Sequence, residues 1–174
     1  MVFGVILGTG VGGGLIVDGR IVRGHNRIAG EWGHNPLPWA HPEELPGAPC
    51  YCGRRGCIET FLSGPGMARD FRERTGLEQS AEAIVGSARA GDSLAAGALR
   101  SYSDRLARGL AALINVLDPD VIVLGGGLSN ITELYRDVQP LLTHYAFSDG
   151  LDTPIVAAKH GDSSGVRGAA WLWP

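Results

Sequence analysis

Val2 to Val22 reads V-F-G-V-I-L-G-T-G-V-G-G-G-L-I-V-D-G-R-I-V, and its interpretation decides the fold class. Val2 to Leu7 is an apolar, β-branched run of strand length. Gly8, Gly10 and Gly13 then satisfy the G-x-G-x-x-G spacing of a dinucleotide fingerprint, which requires a helix to follow. No helix follows. Leu15 to Val17 and Arg20 to Val22 flank Asp18-Gly19, a dipeptide that supplies the positive φ values of a tight hairpin. The segment is therefore strand, glycine turn, hairpin. Gly8 to Gly14 holds five glycines and Thr9, a composition that can line up backbone N–H groups into an anion-binding concavity. Phosphate binding is preferred there over a merely tight turn.

The rest of the chain extends this start into an α/β lobe. Ile58 to Leu62 begins a helix that Ser63-Gly64-Pro65 interrupts, and Gly66 to Thr75 continues it to a Gly76 stop. Ser80 caps a helix to about Ala90. Ser93 caps the longest one, in which Leu99, Tyr102, Leu106, Leu110, Leu113 and Leu117 form one apolar stripe ended by Asp118-Pro119. Val121 to Leu124 is unbroken Val/Ile/Leu, as expected of a strand covered on both faces of a parallel sheet. Gly125, Gly126 and Gly127 follow at its carboxyl end, where open α/β sheets bind ligands. A flat ligand on the backbone and close helix–strand packing explain those glycines equally well. Asn130 is expected to cap a helix to Tyr145, and Pro154 to Ala157 is a last strand. Asp162 or Ser163 caps a final helix with Trp171 and Trp173 near its end. The fold class is α/β, an antiparallel hairpin with a parallel continuation.

Gly30 to Thr60 interrupts this pattern. All three cysteines lie in it, as C-x-C-x4-C at Cys50, Cys52 and Cys57. His34 precedes them across a proline-broken loop, and Glu31 to His34 is expected to be extended. Three thiolates and an imidazole make the closed tetrahedral set that structural zinc prefers. Unpaired core thiols, or one disulfide with a spare, are the alternatives. An odd count with no signal peptide favours the metal. His25, His41, His144 and His160 are competing fourth ligands; His34 is preferred for its place beside Glu31.

Composition excludes several classes. Of 174 residues, 44% are hydrophobic and 19% charged, with a formal net charge of −3, so the chain buries a core and is no disordered tail. No Lys/Arg-rich run marks a nucleic-acid binder, and no apolar run reaches the length of a membrane span. A cytoplasmic location is the default expectation.

Taken together, the segments resemble the ROK family of sugar kinases. The resemblance lies in G-T-G-V-G-G-G, in E-x-G-H followed by C-x-C-G-x-x-G-C-x-E, in L-D-P-D-V-I-V-L-G-G-G-L-S-N and in S-S-G-V-R-G-A-A, and it covers essentially the whole chain. The ending and the tryptophans look most like the family's bacterial fructokinases, with the N-acetylglucosamine kinases as near neighbours. The resemblance implies an actin/hexokinase-like ATPase fold (ribonuclease H-like) with a zinc-binding loop at 30–60. It implies ATP contacts at Gly8, Thr9, Gly10, Gly12, Gly125, Gly126 and Gly127, sugar contacts at Glu31, His34 and Glu59, and zinc at His34, Cys50, Cys52 and Cys57. ATP, Mg²⁺, a structural Zn²⁺, a hexose substrate (fructose first) and a homodimer follow from the same resemblance. The family's Asp-x-Gly-x-Thr strand and its Asn-Asp pair, whose aspartate is the base toward the sugar, have no counterpart here. The chain is accordingly expected to be a carboxy-terminal kinase lobe, 1–174, with no catalytic residue of its own and negligible turnover alone. The sugar-sensing lobe of a ROK repressor is the alternative.

Overall fold

The computed structural model describes residues 1–170; Trp171 and Trp173 lie outside the described residues. Five strands form one sheet in the order β3-β2-β1-β4-β5: β1 (Val2–Leu7), β2 (Val11–Val17), β3 (Arg20–Ile21), β4 (Val121–Gly125) and β5 (Ile155–Ala157). β1, β2 and β3 pair antiparallel, while β4 joins β1 in parallel and β5 joins β4 in parallel. This is the expected hairpin with a parallel continuation. The architecture is α/β.

The glycine turn is shorter than the composition suggests. Only Gly8 to Gly10 turns; Gly12, Gly13 and Gly14 lie in β2, opposite Ile6, Val5 and Gly4. Packing explains their type. A Cβ on Gly13 would lie 2.9 Å from the Phe3 ring and 2.8 Å from the Gly4 carbonyl oxygen. The missing side chain makes room for Phe3.

One face of the sheet carries the core. Phe3, Val5, Leu7, Ile122 and Leu124 are all nearly inaccessible to solvent. They pack under α4 (Ser93–Leu117) and α5 (Glu133–Tyr145), whose stripes contribute Tyr102, Leu106, Leu110, Leu134, Val138 and Leu142. Each such side chain contributes about 1.5–3 kcal/mol on leaving water. The opposite face is only partly covered among the described residues. Ile6 is 40% exposed and Val156 39%, and Val121 and Val123 are half-buried. The apolar run of β4 had implied cover on both faces; its alternate residues are in fact covered unequally.

Two helix starts also differ from expectation, and the last helix begins directly after Ser163, one of the two caps expected for it. Asp92, not Ser93, caps α4, accepting a hydrogen bond from the Ala95 N–H at 2.8 Å. Asn130 ends a tight 3-10 turn over Gly127–Asn130, and α5 begins only at Glu133. Gly161–Ser163 is another such turn, and α6 runs Ser164–Ala170. Between β3 and α4 lie α1 (Ile58–Leu62), α2 (Gly64–Thr75) and α3 (Ala81–Arg89). Ser63 caps α2 and Ser80 caps α3, each accepting from the N–H three residues on.

Candidate metal centre and the cleft beside it

Glu31 leads into a 3-10 turn over Trp32–His34, not an extended segment. The turn is pinned from inside. Trp32 is buried, and its indole N–H donates to the Gly12 carbonyl at 2.8 Å. The carbonyl of this glycine is thereby consumed in holding the loop. From His34 the chain crosses a proline-rich excursion and returns at Cys57. Backbone hydrogen bonds close the excursion: Leu37 N–H to Gly56 at 3.0 Å, Cys50 N–H to Arg54 at 2.8 Å, and Ile58 N–H to Asn35 at 2.9 Å.

A buried ionic network clamps the same excursion to α4. Glu44 accepts from Arg105 Nε and from both terminal nitrogens of Arg108, each at 2.7 Å. Arg105 also pairs with Asp70 at 2.9 Å, and Arg108 with Asp104 at 3.0 Å. Arg108 donates to the Trp39 carbonyl at 2.9 Å. Burial raises the Glu44 pKa, but hydrogen bonds from Arg108 and then Arg105 outweigh it and hold the carboxyl down at about 2. This network was not foreseen from the sequence. Two arginines three apart, next to the apolar stripe of α4, were its available sign.

The clamp brings the expected ligands together. His34, Cys50, Cys52 and Cys57 place one ligand atom each within 4.8 Å of all the others. Cys50 Sγ lies 3.5 Å from His34 Nδ1, and Cys52 Sγ lies 3.6 Å from Cys57 Sγ. Tetrahedral zinc with bonds of 2.3 Å to sulfur and about 2.05 Å to nitrogen sets S···N and S···S edges of about 3.6 and about 3.8 Å. The donors therefore fit a single zinc ion. The thiols are unlinked, so the disulfide alternative does not apply. His41 faces Asp104 instead, at 4.0 Å. Burial, followed by the neighbouring Cys52 and Cys50, pushes the Cys57 thiol up to about 12. The Arg54 N–H, then Cys50 and Cys57, favour the exposed Cys52 as thiolate. A divalent cation would favour the ionised form of all three thiols together.

Tyr51, between two of the ligands in C-Y-C, is a site residue that sequence reasoning passed over. Its hydroxyl oxygen is 2.8 Å from His34 Nε2, the ring nitrogen turned away from Cys50, and the two rings meet edge to face at 5.0 Å. Limited desolvation, then the negative charges of Glu59, Cys50, Glu31 and Cys52, push its phenol above the usual range. The charges of Glu31 and Glu59, the two expected sugar-side acids, are thus felt at Tyr51. Glu59 is fixed: it sits in the first turn of α1 and accepts from the Val11 N–H at 2.9 Å. A Cβ on Gly10 would lie 2.7 Å from the same carboxylate oxygen. Glu31 is exposed and makes no side-chain cap.

Beyond Gly10 lies a cleft of about 440 Å³ lined by Gly8, Thr9, Gly64, Pro65, Ser80, Glu82 and Gly127 among others. The two glycine stretches meet here because β1 and β4 are parallel neighbours that end side by side. The amino ends of α2 and α3 open on the same cleft, and the Gly64 N–H donates to the Gly8 carbonyl at 2.8 Å. Partial positive charge at such ends favours anions. Gly126 lies at φ 81 with its Cα against the backbone of Leu7, where a Cβ would approach the carbonyl oxygen to 2.4 Å. Gly125 packs against Ile6 and Ala158. Of the seven residues expected at nucleotide, Gly8, Thr9 and Gly127 line the cleft. Gly125 and Gly126 precede Gly127 at the end of β4 but do not line the cleft, Gly10 abuts Glu59, and Gly12 lies in β2.

The sequence profile of the ROK family matches residues 1–174 from end to end. The chain belongs to the ROK family. Over 175 residues it is 42% identical to an N-acetyl-D-glucosamine kinase of Aliivibrio salmonicida, covering 98% of this chain and 58% of that protein. An N-acetyl-D-glucosamine kinase of Yersinia pseudotuberculosis is 43% identical over 178 residues, with the same coverages. The chain thus spans a little under three-fifths of the length of these relatives. Among solved structures, a ROK family glucokinase from Streptomyces griseus, in complex with glucose and AMPPNP, superposes with a TM-score of 0.84 at 29% identity, covering 98% of this chain and 59% of that one. The expected actin/hexokinase-like fold is accordingly that of this ROK chain. The leaning toward fructokinase finds no support in these relatives. Among the described residues no helix is long and apolar enough to cross a membrane.

Proposed function

We propose that this chain is the zinc-bearing lobe of an ATP-dependent hexose kinase whose sugar is N-acetylglucosamine or glucose. The observation that carries the reading is Glu59. One carboxylate, two residues past the ligand Cys57, is held by the Val11 N–H and so joins the metal loop to the strand that follows the glycine turn of the cleft. A kinase must set phosphate donor and sugar hydroxyl side by side, and positioning supplies most of its catalysis. Ionised Glu31 and Glu59 accept protons from sugar hydroxyls, while Gly8, Thr9 and the amino ends of α2 and α3 face nucleotide phosphates with their Mg²⁺. Zinc held by His34, Cys50, Cys52 and Cys57 has four protein ligands and no open position, so it orders the loop and takes no part in the chemistry.

The proton acceptor for the sugar hydroxyl comes from outside the residues named. Asp18 lies in the β2–β3 turn, and Asp118 and Asp120 precede β4 at the opposite end from the cleft. The relatives' names favour N-acetylglucosamine or glucose over fructose. A second reading, the sugar-sensing lobe of a regulator, is favoured by one likeness. A ROK family transcriptional regulator, a homologue of the E. coli MLC protein, superposes with a TM-score of 0.73 at 26% identity, covering 90% of this chain and 41% of that one. Phosphate transfer from ATP·Mg²⁺ to N-acetylglucosamine, glucose, mannose and fructose, assayed on this chain and on any longer product of its gene, separates the two. The kinase reading expects transfer to N-acetylglucosamine or glucose by the longer product. Sugar binding without transfer in every form would replace it with the sensor.

A further inference from the structure

The three thiols of the metal centre are unequally shielded. Cys57 is 1% exposed and Cys50 9%, whereas Cys52 stands in the middle of an exposed run from Tyr51 to Arg55. We propose that Cys52 is a site of oxidation by peroxide, and that Cys57 resolves it by closing a Cys52–Cys57 disulfide that expels the zinc. The proposal rests on the reading of these residues as a zinc site.

The local backbone places Cys52 in water. The Cys50 N–H donates to the Arg54 carbonyl at 2.8 Å and the Gly53 N–H to the Cys50 carbonyl at 3.0 Å, so residues 50–54 close a tight turn with Cys52 near its tip. Gly53 takes a φ of 87, and a Cβ there would meet nothing within 4 Å, so this end of the turn faces open space. Cys57 is drawn inward instead: it caps α1, and Ile58 after it belongs to the core. Four protein ligands close a zinc ion to water, but they do not shield an outward sulfur. A metal-bound cysteine is a thiolate, the form that attacks an oxidant. Thiolate character and exposure select which cysteine is oxidised, and a second thiol beside it carries the oxidation on to a disulfide. Cys52 meets both conditions. The Cys57 sulfur lies 3.6 Å from its own, while the Cys50 sulfur faces His34 Nδ1 at 3.5 Å.

The Cys52 thiolate attacks one oxygen of hydrogen peroxide: an S–O bond forms, the O–O bond breaks, hydroxide leaves, and the cysteine becomes a sulfenic acid. The Cys57 thiolate then attacks that sulfur: the S–S bond forms, the S–O bond breaks, and a second hydroxide leaves. Two electrons pass from the two sulfurs to the peroxide, and two protons from solvent turn the hydroxides into water. Only His34 and Cys50 remain as donors, too few to hold the ion. The backbone does not depend on it, because Trp32, Glu44 and Glu59 tie the loop through hydrogen bonds that involve no thiol. The oxidised loop therefore stays folded, and a dithiol with fresh zinc restores it. The bland alternative, an inert structural zinc knot, predicts that metal and thiols survive peroxide together.

The test treats the zinc-loaded chain with excess hydrogen peroxide, follows released zinc with a chromophoric chelator, and maps the link by mass spectrometry after trypsin. Arg54 and Arg55 lie between the two cysteines, so a Cys52–Cys57 bond joins two tryptic peptides, and fragmentation tells Cys52 from Cys50 in the first. The wild type is expected to lose its zinc in step with that link, to keep Cys50 as a thiol, and to regain full zinc content after dithiothreitol and added zinc. Cys52→His offers a fourth donor without a thiol, and should keep its zinc over the time in which the wild type loses it. Zinc retained by the wild type under peroxide, a link through Cys50, or a Cys52→His variant that releases zinc as fast as the wild type overturns the proposal. If Cys52→His takes up no zinc, the wild-type map decides alone, and absence of the Cys52–Cys57 link overturns it. A wild-type chain that takes up no zinc overturns the underlying reading of the site and this proposal with it.

Discussion

Replacing Glu44 by Gln tests whether the buried ionic clamp holds the metal loop. Glu44 is 5% exposed at its side chain, and its two oxygens take three hydrogen bonds from Arg105 and Arg108, which are 3% and 1% exposed. The carboxyl is held at about 2 against an ordinary 4.5. At 1.36 kcal/mol per pH unit this corresponds to about 3 kcal/mol favouring the ionised form in the folded state. Removing one member of a buried ion pair costs about 3–5 kcal/mol by independent reckoning, so the two scales agree. The sign follows from the direction of the shift. A depressed folded-state value means the contribution is complete above about pH 4.5 and is lost as pH falls toward about 2. Urea unfolding at pH 7 is the assay. With a slope of about 2 kcal/mol/M, Glu44→Gln should lower the midpoint by about 1.5 M. The wild type should lose more stability between pH 5 and pH 2 than the variant does. Comparing the two cancels Glu133, whose carboxyl Arg89 also holds down at about 2 but in a partly exposed pair that solvent screens. Equal midpoints at pH 7, or parallel acid limbs, would show that the clamp contributes nothing.

Elemental analysis of purified protein should find one zinc per chain, falling to near zero for Cys57→Ser, and chelated protein should unfold at lower urea. Zinc affinity should drop as pH falls, because three thiolates and one imidazole must shed protons to bind; a pH-independent affinity would point to other ligands. Gly126→Ala combines a left-handed backbone with a Cβ at 2.4 Å from the Leu7 oxygen, and should cost more than about 1 kcal/mol while weakening nucleotide binding at the cleft; calorimetric unfolding and an ATP titration check both. Trp32→Ala empties a buried site and leaves the Gly12 carbonyl without its 2.8 Å donor, for an expected loss of about 3–5 kcal/mol in urea unfolding; a loss under 1 kcal/mol would place Trp32 outside the core.

The sequence disclosed features that rest on local chemistry and withheld those that depend on distant partners. The β2–β3 hairpin, the stripe of α4 and the C-x-C-x4-C ligand set were legible because their reasons lie within a few residues. The strand limits of β2 were not, because Gly13 is small on account of Phe3, across the sheet. The partner of the arginines at 105 and 108 was not legible either, because Glu44 comes from 61 and 64 residues away. Tyr51 was hidden by its neighbours: two cysteines drew the reading to metal, and nothing local says that a phenol meets an imidazole 17 residues back. The meeting of Gly8 with Gly127 required the parallel pairing of β1 with β4, which hydrophobic pattern can suggest but not assign.

The same contrast explains how a loop with almost no regular structure can present a fixed site. A flexible loop brings its side chains to a ligand only by surrendering conformational entropy at that moment. Here the surrender occurs on folding, at three separated points. Trp32 ties the loop's entry to the Gly12 carbonyl, Glu44 ties its middle to α4, and Glu59 ties its exit to the Val11 N–H. Two of these ties end on β2, within two residues of the turn that lines the anion cleft. A shift of that turn therefore moves the anchor of Glu59 and, through Trp32, the start of the segment bearing His34. The metal donors close the remaining freedom between entry and exit, at spacings a single tetrahedral ion matches. Glu59 and the glycine turn are thus parts of one rigid arrangement, and the loop needs no long helix or strand of its own to hold them.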